Sequence, residues 1–282
     1  MSTWVLLRGL TRETRHWGRL PAALRETLGQ SPDAATSNAT TTTGLRLLLL
    51  DLPGNGEYVR RRAPASVTGI VAFVRQAARE TGVPGPYNVI AMSLGGMVAT
   101  DWAQRHPGEI ERLVLINTSM RPFSRMHERL RPSAWPGLLG VAAHWGDAAD
   151  AESGIHRLTC NNLDTLGADL AAWTTIRRSA PVSRANALRQ LWAAARFSAA
   201  PAAPGCALLI LSSAADGLVN PVCSAKLAAA WGAPHREHPW AGHDLPHDDP
   251  AWTAAQIRAW LTQRAEDSDA AAAGPAPAKP ER

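Results

Sequence analysis

The chain has 282 residues, 45% of them apolar and 19% charged, and a net charge of +5, which suits one large or two small globular domains with a substantial core. Its arginines are scattered rather than clustered with aromatics, so the positive excess reads as solubility and excludes a nucleic-acid footprint. No stretch reaches the roughly 18 apolar residues of a membrane span, and the three cysteines, Cys160, Cys206 and Cys223, have neither metal-type spacing nor the even count of a disulfide framework.

The first eight residues lack a basic segment and carry only a short apolar run, so no signal peptide is expected and a reduced, cytoplasmic setting is the default. Residues 4–7 read as a buried strand ending at Arg8-Gly9-Leu10-Thr11. A helix is predicted over 16–28, with Trp17, Leu20, Leu24 and Leu28 on one face. Residues 30–44 are a low-complexity Ser/Thr/Ala/Asn tract, expected to be a mobile surface insertion. The second strand, 45–50, is leucine-rich throughout, as a strand covered on both faces should be. It runs into the turn signal Asp51-Leu52-Pro53-Gly54-Asn55-Gly56. A helix over 66–81 puts Val67, Ile70, Val71, Val74 and Ala78 on its inner face.

The run Tyr87-Asn88-Val89-Ile90-Ala91-Met92 is a third strand, turning sharply at Ser93-Leu94-Gly95 into a helix that stops near His106-Pro107-Gly108. Residues 110–116 form the fourth strand. Strand and helix thus alternate, which calls for an α/β fold with an open, mostly parallel sheet of about six strands and helices on both faces. The alternation stops over 118–204, a segment of helical spacing broken at Pro132, Pro136, Gly146 and Pro181. Strands resume at 206–211 and near 236–238, separated by a helix over 221–231. A closing helix over 249–264 precedes an Ala/Pro/Asp/Lys tail, 265–282, that is expected to be disordered.

In such a sheet, ligands collect beyond the carboxyl ends of the strands. Those ends carry Gly9 and Leu10, Asp51, Ser93, Asn117-Thr118-Ser119, Asp216 and His243, so Ser, Asp and His fall at separate strand ends in that order. An alkanol is a poor nucleophile until a base takes its proton, and histidine has the matching pKa. A carboxylate fixes the imidazole tautomer. The oxyanion of a tetrahedral intermediate needs donors, for which the backbone N–H groups of Leu94 and Leu10 are candidates.

These residues resemble the α/β-hydrolase fold family over nearly the whole chain. The nucleophile elbow matches Ala91-Met92-Ser93-Leu94-Gly95, the Asp-x-Pro-Gly-x-Gly loop matches 51–56, the acid loop matches 215–219, and Gly-His-Asp matches Gly242-His243-Asp244. The resemblance implies Ser93 as nucleophile, Asp216 as acid and His243 as base, with no metal or cofactor. It also implies a core of 1–117 and 205–264 with a helical cap at 118–204. The family's opening antiparallel hairpin is missing from the pattern, Ala91 replaces the first elbow glycine, and Arg8-Gly9 stands where His-Gly is usual. Arg8 and Arg12 are read as loop braces or as contacts to an anionic substrate group. Asp51 is read as a loop anchor. His235, His238 and His247 compete with His243 as base. Trp135, Trp145, Trp173 and Trp192 are read as packing or as the lining of an apolar acyl pocket.

The implied activity is hydrolysis of a small-molecule carboxylic ester through an acyl-enzyme. The same three residues can also serve thioester cleavage, acyl transfer, carbon–carbon hydrolysis or cofactor-free halide oxidation, and a non-catalytic binding protein on this fold is the rival of another class.

Overall fold

The computed structural model describes residues 2–29 and 44–273, with side chains up to 268. The low-complexity tract at 30–43 and the end of the chain, 274–282, lie outside the described residues.

Six strands form one fully parallel sheet in the order β2-β1-β3-β4-β5-β6. They are β1 (Ser2–Leu7), β2 (Leu45–Leu50), β3 (Tyr87–Met92), β4 (Ile110–Ile116), β5 (Ala207–Ser213) and β6 (His235–His238). The apolar runs that mark them are continuous because both faces of the sheet are covered, and the period of two sorts them cleanly. Val5, Leu7, Val89, Ala91, Leu113, Leu115, Leu208 and Ile210 face one side, against α2 (Val67–Glu80), α3 (Leu94–Arg105) and α9 (Val222–Trp231). Trp4, Leu6, Ile90, Met92, Val114, Ile116, Leu209 and Leu211 face the other, against α1 (Leu20–Leu28), α10 (Leu245–Asp248) and α11 (Pro250–Ala273).

Four details differ from the sequence expectation. The helix predicted from residue 16 divides into a short 3-10 turn, Thr14–Trp17, and α1, because Gly18 takes a positive φ of 52° between them. β2 lies at the sheet edge and is only partly buried, with Arg46 exposed, so its leucines are not covered on both faces. A four-residue α10 precedes the closing helix. Finally, α11 runs on to Ala273, so the expected tail is helical over 265–273. Alanine is the best helix former, and residues 265–268 are exposed, so this stretch needs no apolar stripe.

Between β4 and β5 the chain is helical: α4 (Met126–Arg129), α5 (Trp135–Ala143), α6 (Ala148–Thr159), α7 (Leu166–Ser179) and α8 (Arg184–Arg196). Ala193 and Phe197 join the apolar cluster of α2 and α3, and Gln190 reaches across to the loop after β2, where its amide donates to the Pro53 carbonyl (3.1 Å) and to Asn55 Oδ1 (2.9 Å). This insertion therefore rests over the carboxyl ends of β1 and β2.

Candidate active site

Ser93 occupies the single residue between β3 and α3, with φ 53° and ψ −117°. L-residues rarely adopt this conformation, and it persists only where the surroundings over-determine it. Three contacts do so. The Ser93 N–H donates to the Ile116 carbonyl (2.9 Å), the Thr118 hydroxyl donates to the Ser93 carbonyl (2.8 Å), and Gly95 brings the first turn of α3 against the carbonyls of Leu7 and Arg8. A Cβ at Gly95 would stand 2.6 Å from the Arg8 oxygen, so only glycine permits this approach.

The turn after β1 lies directly on the serine. A Cβ on Gly9 would sit 3.1 Å from Ser93 Cβ and 3.6 Å from its Oγ, so the Gly9 Cα packs directly on the serine. Leu94 is the first residue of α3, where its N–H has no intrahelical acceptor. Of the two expected oxyanion donors, Leu94 directly follows the half-buried Ser93, and Leu10 follows Gly9, whose Cα packs against it.

Asp216 and His243 meet across 2.7 Å, Oδ2 to Nδ1, with both side chains almost fully buried. The acid's second oxygen accepts from the N–H groups of Leu218 (2.8 Å) and Val219 (2.9 Å), which locks the carboxylate. Burial by itself would push the His243 pKa down. The charge and hydrogen bond of Asp216, with the charge of Asp244 behind them, outweigh that and leave it above its ordinary value.

The segment carrying His243 is held from three directions. Asn117, at φ 44°, donates from Nδ2 to the His243 carbonyl (2.7 Å) and to Ser213 Oγ (3.0 Å), tying the ends of β4 and β5 to the histidine. Asp248 accepts from the Gly242 N–H (2.7 Å). Asp244 forms a two-point pair with Arg8, at 2.9 and 2.5 Å.

Arg8 is 2% exposed, stacks 4.8 Å from the Trp17 ring and braces the residue after His243. Arg12 is equally internal: it pairs with Glu152 of α6 (2.6 Å), donates to His16 (3.1 Å) and lies 4.2 Å over the Trp173 ring. Both guanidinium groups pair with buried protein carboxylates, Arg8 with Asp244 and Arg12 with Glu152. Asp51 accepts from the N–H groups of Thr14 (2.7 Å) and Glu57 (2.8 Å), the geometry of a loop anchor.

The competing histidines have other partners. His235 meets the Ser212 hydroxyl (2.8 Å), His238 accepts from the Ala241 N–H (3.0 Å), and His247 faces Asp169 of α7 (3.1 Å). Of the four tryptophans, Trp173 is buried and Trp145 donates to the Val182 carbonyl (3.0 Å), while Trp135 and Trp192 are about half exposed. The residues that sequence reasoning left without a role are Asn117, Thr118, Asp244 and Asp248. Their one available signal was position, since polar side chains at strand ends inside a buried loop must bond something.

Comparison with known proteins places the family. The sequence profile described as the alpha/beta hydrolase family matches residues 4–256. Among curated proteins, the chain is 32% identical over 124 residues to a pimeloyl-[acyl-carrier protein] methyl ester esterase of Chromobacterium violaceum, covering 39% of this chain and 44% of that protein. It is also 32% identical over 118 residues to the biotin biosynthesis bifunctional protein of Teredinibacter turnerae, covering 42% of this chain and 17% of that one. The chain therefore spans less than half the length of these curated relatives. Among solved structures, a membrane phospholipase A described as a bacterial virulence factor superposes with a TM-score of 0.73 at 21% identity, over 93% of this chain and 79% of that one, and so shares the fold. The chain belongs to the alpha/beta hydrolase family.

Proposed function

We propose that the protein is a serine hydrolase that cleaves a carboxylic ester through an acyl-enzyme, with Ser93, His243 and Asp216 as its triad and the helical insertion as a cap over the site. The observation that carries this reading is the buried 2.7 Å contact between Asp216 and His243 Nδ1. It commits Nδ1 as the donor and leaves Nε2 as the basic nitrogen of the ring. In the reaction, Nε2 takes the Ser93 proton as Oγ attacks the ester carbonyl. The resulting oxyanion receives the N–H groups of Leu94 and Leu10. The imidazolium, stabilised by Asp216, then protonates the departing alkoxide, and water repeats the sequence to release the acid.

An ester as substrate is supported by the Chromobacterium relative, whose name states a methyl ester. The family and the strained serine support the nucleophile. The setting we propose is cytoplasmic; among the described residues no helix is long and apolar enough to cross a membrane.

Fluorophosphonate labelling tests the reading directly. Wild-type protein should be modified covalently at one site and Ser93→Ala not at all, with loss of p-nitrophenyl ester turnover by roughly 10⁴–10⁶. An unlabelled wild type, or a labelled Ser93→Ala, would overturn it.

A further inference from the structure

Behind the His243 segment, three helices bring together a second set of reactive side chains that the ester chemistry does not use. His156 and Cys160 are four apart at the end of α6, and so share one face. His247 comes from α10, and Asp169 from α7. One ligand atom each from His156, Cys160 and His247 lie within 4.8 Å of one another. Asp169 Oδ2 stands 3.1 Å from His247 Nε2 and 3.7 Å from His156 Nε2. A tetrahedron built on metal–nitrogen and metal–oxygen bonds of about 2.0–2.1 Å and a metal–sulfur bond of about 2.3 Å has edges of about 3.3–3.6 Å; the His156, Cys160 and His247 atoms lie up to about 1 Å wider than that, and Asp169 is the carboxylate that stands against both imidazoles.

A second observation points the same way. His156 is 1% exposed, and neither of its ring nitrogens has a hydrogen-bond partner among the described residues. A buried imidazole with both nitrogens unmatched is costly unless something binds it. The surroundings are those of a ligand shell. Trp173 packs on both imidazoles, with centroids at 5.2 Å from His156 and 5.0 Å from His247, and the Thr165 hydroxyl donates to Asp169 Oδ2 (2.7 Å), orienting the carboxylate.

We propose that His156, Cys160, His247 and Asp169 form a structural site for a borderline-soft divalent cation of the zinc type. Two imidazoles, a thiolate and a carboxylate are the donor set that such an ion prefers over the all-oxygen shells of magnesium or calcium. Binding releases the Cys160 thiol proton to solvent. The ion ties the insertion to the base-bearing segment: the Asp244 N–H, next to His243, donates to the carbonyl of Thr159 (2.7 Å), next to Cys160. Cysteine spacing could not signal the site, because it contributes one cysteine and the other ligands come from separate helices.

Cobalt(II) titration of chelator-treated full-length protein reads the site without reference to activity. One equivalent should bind with the visible bands of a tetrahedral ion and a near-ultraviolet thiolate charge-transfer band. Cys160→Ser should abolish the charge-transfer band, and His247→Gln should weaken binding at least about tenfold. Zinc at about a hundredfold excess over its Kd should raise the wild-type melting temperature by about 5 °C or more and leave that of Cys160→Ser unmoved. Should Cys160→Ser not fold, the partly exposed His247→Gln carries the comparison. Wild-type binding without a thiolate band, or variants that match wild type in spectrum and affinity, would overturn the proposal.

Discussion

The sheet and the helical insertion are held together by different physics. Around the sheet, two clusters of apolar side chains alternate with strand period, and the strained backbone at Ser93 rests on that frame. In the insertion the apolar cluster is small, around Cys160, Trp173 and Ile176, and charged and polar groups are buried beside it: Arg129, Glu152, His156, Arg177, Asn186 and Gln190. Glu152 joins Arg12 of the core to Arg177 of α7, and each guanidinium also lies 4.2 Å from a tryptophan ring. Apolar packing is non-directional and tolerant, whereas a buried pair is weak as net stabilisation and severe when one partner is lost. The serine corner therefore sits on the tolerant apolar frame, while the His243 segment and the insertion both depend on buried polar contacts of the unforgiving kind.

The comparison breaks most visibly at Asp216. Asp216→Asn keeps the shape of the side chain but removes the charge that holds His243 in its tautomer. We expect turnover of a p-nitrophenyl ester to fall by about 10⁴, with thermal stability little changed. The pH profile gives a finer reading in the wild type. The base works only when neutral, and its pKa is raised above the ordinary 6.5 by Asp216 and Asp244 against burial. Activity should then rise with pH along a limb centred above 6.5, and a limb centred below it would count against this environment.

Glu152→Gln should do the reverse. It leaves two buried guanidiniums without a counter-charge, and a loss of about 3–5 kcal/mol is expected, read as a fall in urea midpoint or melting temperature. Fluorophosphonate labelling of the folded fraction should persist, because the Asp216–His243 bond is untouched. A variant that stays fully stable would show that the insertion is not held by this pair.

The same contrast explains what could be read beforehand. β4 and the helix flanked by Ser66 and Thr81 follow from continuous apolar runs and caps, which are local properties of the chain. Ser93, Asp216 and His243 could be picked out because a parallel sheet gathers its strand ends at one edge. β2 was misjudged as fully covered because its leucine content says nothing about which strand ends the sheet. The partners of Arg8 and Arg12 are invisible for the same reason. Their partners lie 236 and 140 residues away, and no periodicity encodes such a pairing. The insertion's helices were legible as helices, but their polar attachments, such as Gln190 to Asn55, were not.

The smallest expected effect concerns the buried Arg8–Asp244 pair at the carboxyl edge of the sheet. Burial alone would raise the Asp244 carboxyl, but the charge and hydrogen bonds of Arg8, helped by His247 and Arg12, bring it down to about 2. An unfolded aspartate titrates near 3.9, so the folded state holds its proton less tightly. The stabilisation this represents, about 2.6 kcal/mol, is fully present above about pH 5 and is lost as pH falls toward and below 2, with roughly half gone by pH 3. Other carboxylates titrate in the same window, so the contribution is isolated by difference. Wild type and Asp244→Asn should be unfolded in urea at pH 6 and again at pH 3. Asp244→Asn should be the less stable at pH 6, since Arg8 is then buried opposite a neutral amide, and the gap should narrow by about 1 kcal/mol at pH 3. An equal gap at both pH values would mean that Arg8 does not hold this carboxylate ionised, and that the brace behind His243 is steric rather than electrostatic.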